Sequence, residues 1–179
     1  MNIYRMFSSG NDFKSIQYAQ TPLMEIIGEE DWKNINDIES YSFHWSEENK
    51  EVSDAPFLIG AIPIFRSDAL TYAKIVFPKD CVKEVTIHVD GIEYVIIKAI
   101  GKVDDLLDEK KSVISRFADG RIMNIEKYIF KAKDNVPPIF KLAQYPLFTF
   151  VTDEIGDKLK AATLSGLKLE RCKIKKWWL

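Results

Sequence analysis

"VKEVTIHVDGIEYVIIKAI", residues 82–100, is the strongest hairpin signal in the chain. Apolar and polar residues alternate on both sides of Asp90-Gly91. A two-residue turn of type I′ needs positive φ at both positions, which Asp-Gly tolerates. That turn fixes the register. Val89 faces Ile92, Ile87 faces Tyr94 and Val85 faces Ile96, all on one apolar side. His88 then stands opposite Glu93 on the other side.

Outward from this hairpin the chain keeps its β character. A second turn, Asp119-Gly120, sits inside "KSVISRFADGRIMNIEKYIFK", where the alternation is less clean and both sheet faces are expected to be partly covered. Between the two hairpins, "GKVDDLLDEKK" reads as a polar loop or one helical turn. "VPPIFKLAQYPLFTFV" supplies one or two short strands bounded by prolines.

Two stretches change period. In "FVTDEIGDKLKAATLSGLKLERC", residues 150–172, Thr152 can cap a helix and Asp153 and Glu154 lie in its first turn. Ile155, Leu159 and Ala162 form one apolar face. Ser165-Gly166 is the stop signal, with Gly166 left-handed, and "LKLERCKI" resumes as a strand. In "IPIFRSDALTYAKIVFP", Ser67 is the expected cap, Leu70, Ala73 and Phe77 the buried face, and Pro78 the end. Both units share an aromatic residue, then Ser/Thr-Asp, then a helix. That pattern is also simply a good helix start.

The expectation is an α+β fold: a mostly antiparallel sheet with hairpins at Asp90-Gly91 and Asp119-Gly120 and two short helices packed on it. A length of 179 residues favours one domain. Within it, residues 1–54 form a variable acidic and aromatic segment and residues 173–179 a basic, Trp-containing tail. Residues 1–20 suggest one or two edge strands, and "TPLMEIIG" a short helix from Thr21 to its stop at Gly28. From residue 25 to 54 the net charge is −8, so the rest of the chain carries +6. Trp32, Tyr41, Phe43 and Trp45 interrupt these acids, and a loop pinned by its aromatics is expected.

Composition narrows the classes. The chain is 46% hydrophobic and 12% aromatic, enough for a sizeable core. Its net charge of −2 argues for neither a nucleic-acid nor a membrane partner in bulk. No apolar run reaches spanning length. The first residues lack a basic-then-apolar leader, so reduced Cys81 and Cys172 and a cytoplasmic protein are expected.

Catalytic constellations are missing from the sequence. The phosphate-cradling glycine motifs and the nucleophile elbow are absent. His44 and His88 are the two histidines, and with Cys81 they do not supply a metal-ligand spacing. Cys172 has basic neighbours, Arg171 and Lys173, but a strand context that favours burial. Asp104-Asp105 and Asp108-Glu109 read as solvated pairs. No enzyme, cofactor or metal is expected. "KLERCKIKKWWL" mixes five basic residues with Trp177 and Trp178, a composition that suits single-stranded nucleic acid or a strand with an amphipathic tail.

From Asp54 onward the motif order resembles a known family. The segment 62–70 is apolar around Pro63 and leads through Ser67-Asp68 into a helix. "F-x-D-G-R" is followed by "Y-x-F" across residues 117–130. The closing unit spans residues 147–170, with "VTDE", then alanine, then "LSGLKLE". Together they resemble the bacterial polymorphic-toxin immunity proteins of type eleven, formerly a domain of unknown function. The likeness covers residues 54–172. It does not extend to residues before 54 or to the tail, and Gly156 falls inside a helix where a bulkier residue suits the helix better. The resemblance implies a protein that binds a cognate toxin encoded nearby and neutralises it without catalysis of its own.

A partner surface is not carried over from the family. On physical grounds Trp32, Tyr41, Trp45, Glu47 and Glu48 are the candidates, because acids steer association and aromatics supply buried area. The alternatives are a small-molecule or peptide-binding module, or nucleic-acid association through the basic C-terminus.

Overall fold

The computed structural model describes residues 1–18, 41–58 and 61–175. Of the described residues 43% are strand and 11% helix, so the fold is β-rich and the α+β expectation is corrected. The two helices among the described residues are short, and segments expected as loop or edge pair into sheets instead.

Among the described residues, two six-stranded sheets carry the fold. In the first, the order is β11 (Ile129–Phe130), β14 (Leu167–Ile174), β1 (Ile3–Ser8), β13 (Phe150–Thr152), β12 (Ile139–Leu142) and β8 (Lys102–Val103). In the second it is β2 (Ile16–Tyr18), β3 (Phe43–Trp45), β6 (Val82–Val89), β7 (Ile92–Ala99), β5 (Ile62–Arg66) and β4 (Phe57–Leu58). A separate two-stranded hairpin joins β9 (Val113–Arg116) to β10 (Ile122–Lys127).

The hairpin at residues 82–100 forms in the expected register. Val89 pairs with Ile92, Ile87 with Tyr94, Val85 with Ile96, and His88 with Glu93. Asp90 and Gly91 both take positive φ, 47° and 82°. Ile92 is the exception on the apolar side: it is 36% exposed at the open end beside the turn. Towards Ala99, β7 is covered on both faces. Val85, Ile87, Tyr94 and Ile96 belong to an outer core. Val82, Ile97 and Ala99 belong to the middle core.

That middle core lies between the two sheets. Tyr4, Met6, Ile139 and Val151 come from the first sheet, and Phe65, Val82, Ile97 and Ala99 from the second. Burying such side chains stabilises by about 1.5–3 kcal/mol each before conformational entropy is charged. A third core covers the far face of the first sheet, where Phe130, Phe140 and Phe150 meet Tyr128. There Arg5 pairs with Glu170 at 2.7 Å while its guanidinium lies over the rings of Phe7, Tyr128 and Phe148.

β1 is not the edge strand its weak alternation suggests. It runs antiparallel to both β13 and β14, inside the first sheet. Ile3 serves one core, and Tyr4 and Met6 the other. The segment after β7 is also more than a polar loop: Leu106 and Leu107 are buried in the third core. The irregular β9–β10 alternation has a local cause. The register shifts twice, and the hairpin stands as its own pair rather than as a doubly covered strand of a large sheet.

The helices α1 (Ser67–Tyr72) and α2 (Asp153–Ala162) each follow a strand directly. Arg66, not Ser67, is the N-cap of α1, and Ser67 already lies inside the helix. α1 stops after one and a half turns because Lys74 is left-handed, φ 53°. The Lys74 N–H then donates to the Thr71 carbonyl and the Ile75 N–H to the Leu70 carbonyl. This is a Schellman stop, with Leu70 and Ile75 packed in the same core. Phe77 is buried but lies beyond the helix. α2 likewise ends at Thr163, φ 48°, before the expected stop at Gly166. Gly156 has a packing reason: a Cβ there would lie 2.5 Å from the Tyr4 ring.

Candidate functional site

Sequence reasoning pointed to five residues before position 54. Trp32 lies outside the described residues, as do the proposed helix at Thr21–Gly28, Trp177 and Trp178. Tyr41 and Trp45 are half-buried against the outer core, and Trp45 meets the Tyr94 ring edge-on at 5.6 Å. Their aromatic area serves the core. Glu47 and Glu48 are exposed just after β3. Glu48 accepts from Lys50 at 3.0 Å and from the Ser46 hydroxyl at 3.4 Å.

Asp90 anchors this region to the hairpin turn. Its carboxylate accepts from the Trp45 N–H at 2.9 Å and lies 2.7 Å from His44 Nδ1. The Trp45 N–H first, and His44 next, hold the Asp90 carboxyl below the usual carboxylate range. A lowered folded pKa adds stability above the unfolded value of about 3.9, and that stability is lost as pH falls through the folded value. Asp90→Asn keeps a residue that tolerates positive φ but removes the charge. The variant's Trp45 amide is expected to exchange faster than the wild type's at pH 6. The difference should shrink below about pH 4. Equal exchange rates at pH 6 would show that the carboxylate does not hold β3.

Neither cysteine is a poised nucleophile. Burial pushes the Cys172 thiol up to about 12. Cys81 is raised as well, by burial and then by Asp80. Among the described residues no group of three or more His, Cys, Asp or Glu could hold a metal ion. Of the acidic pairs, Glu109 bonds Arg116 at 2.6 Å and Asp108 is largely buried.

The structure brings together a site that sequence reasoning missed. Between α1 and α2 lies an open groove of about 780 Å³. Ala69 and Ala73 line one wall, and Ala161, Ala162 and Leu164 the other. Tyr72 stands at its rim, 92% exposed, with Val76 nearby in sequence at 71%. Asp54, Arg66 and Asp68 contribute the charge on one side and Lys158 on the other.

The charged residues Asp54, Arg66 and Asp68 at the groove are bonded to one another. Arg66 bonds Asp54 at 3.1 Å and Asp68 at 2.6 Å. Asp68 first, with Asp54 behind it, raises the Arg66 pKa against the opposing effect of burial. The second oxygen of Asp54 accepts from the Ser165 N–H and hydroxyl, while the Asp54 N–H donates to that hydroxyl. This reciprocal pair ties residues 53–55 to the turn after α2. The two strand–helix units with matching motifs therefore supply the two walls.

Both helices were visible in the sequence, as were the small and charged residues on their outer faces. Nothing local indicated that those faces meet. Comparison with known proteins finds no family model and no curated protein that matches this chain. Among the described residues no helix is long and apolar enough to cross a membrane.

Proposed function

We propose that this chain is an immunity protein of the polymorphic-toxin type, which works in the cytoplasm by binding a cognate toxin domain and carries no catalysis of its own. The motif resemblance over residues 54–172 supports the reading. The observation that carries it is the acidic turn at Glu47 and Glu48, exposed beside an anchored Trp45 and a hydrogen-bonded Asp90. A charged surface on a fixed frame is what steered, selective association needs. The groove between the helices is open and walled by alanine. A small-molecule module favours a pocket that encloses most of its ligand.

Co-expression with the toxic domain of the neighbouring gene tests the reading. Restored growth together with a stable complex is the expected result, and failure of both would end it. Replacing Glu47 and Glu48 with Lys is expected to slow association about tenfold at low salt and much less at high salt. An unchanged on-rate would remove the acidic turn from the interface.

A further inference from the structure

We infer that the groove between α1 and α2 receives a helical segment of the same partner, its apolar face on the alanines, a basic residue facing Asp68 and an acidic residue facing Lys158. The inference rests on the toxin-binding reading and adds the place and chemistry of the anchor.

Three observations carry it. The walls are built from small side chains, Ala69 and Ala73 against Ala161 and Ala162, so another backbone can approach closely. At about 780 Å³ the space exceeds what one side chain fills. An amphipathic helix laid in an apolar groove is a recurrent way to occupy such a shape. Tyr72, 92% exposed at the rim, is a residue type that dominates interface energetics when a partner covers it.

The charges set direction. Arg66 is shared between Asp54 and Asp68, which leaves that side with one net negative charge. Asp68 is 75% exposed and open to a further contact. Lys158, exposed on α2, gives the opposite sign across the groove. A bound helix with complementary charges gains orientation as well as area.

The groove also lies within reach of the acidic turn. Asp54 lies six positions after Glu48, a span of at most about 22 Å. A standard interface covers about 800 Å² on each partner, wide enough for both. The acids then steer and the groove holds.

The test uses the full chain and the purified toxin domain of the neighbouring gene. Ala161→Arg and Tyr72→Ala alter exposed side chains, so unchanged thermal midpoints serve as the folding control. Each is expected to weaken binding at least tenfold, mainly through faster dissociation. Hydrogen exchange in the complex should show protection over residues 67–73 and 158–164. Wild-type binding with both variants within twofold of it, or protection confined to residues 45–51, would overturn the groove and leave the immunity reading standing. No binding by the wild type would overturn both.

Discussion

Gly166→Ala is expected to lower stability by about 3 kcal/mol, the combined effect of two local costs. Gly166 sits at φ +86°, where a Cβ is strained. Its added Cβ would also lie 2.8 Å from the Ala55 carbonyl oxygen and 2.7 Å from Ser53 Cβ. Neither neighbour is free to yield. The Ala55 N–H is bonded to the Ser165 carbonyl, and Asp54 is bonded to Ser165 on both sides. The Gly166 carbonyl in turn accepts from the Ser9 N–H. For a chain of this size the thermal midpoint should fall by about 6–12 °C. A measured loss under about 1 kcal/mol would mean that residues 53–55 shift to make room.

Phe150→Ala is expected to cost about 3–5 kcal/mol. Phe150 is fully buried, with its ring 5.2 Å from Tyr128, 5.5 Å from Phe130 and 5.6 Å from Phe140. It sits on a three-residue strand paired on both sides, so the surrounding backbone cannot collapse far into the space left behind. Phe117→Ala is the control: that ring is 49% exposed and its removal should change stability by about 0.5 kcal/mol or less. Chemical denaturation of the two variants checks the contrast. Equal losses would show that the third core is not the tightly packed unit its ring geometry describes.

What was legible in the sequence follows the range of each interaction. The register of β6 and β7 could be read to the residue, because a two-residue turn and a period of two fix it without help from elsewhere. The start of α2 at Thr152 was legible from local signals, although its hydroxyl makes no cap bond, whereas α1 is capped by Arg66 rather than by the expected Ser67. The ends of both helices were not legible, because Lys74 and Thr163 took the left-handed conformation while the apolar spacing ran on. The candidate site was only partly legible. Glu47 and Glu48 are exposed as their charge suggests, whereas Trp45 and Tyr41 serve the outer core.

The sequence by itself determined the β hairpin at Asp90-Gly91, the start of α2 after Thr152 and the absence of the usual catalytic motifs. The tertiary structure alone decided that β1 lies between β13 and β14, that Gly156 makes room for Tyr4, and that two helices about eighty residues apart wall one groove. The physical reason is that alternation and capping act over a few neighbouring residues, while strand order and helix apposition arise from burying distant apolar faces together. Many distant partners satisfy one local pattern, and only the packed chain selects among them.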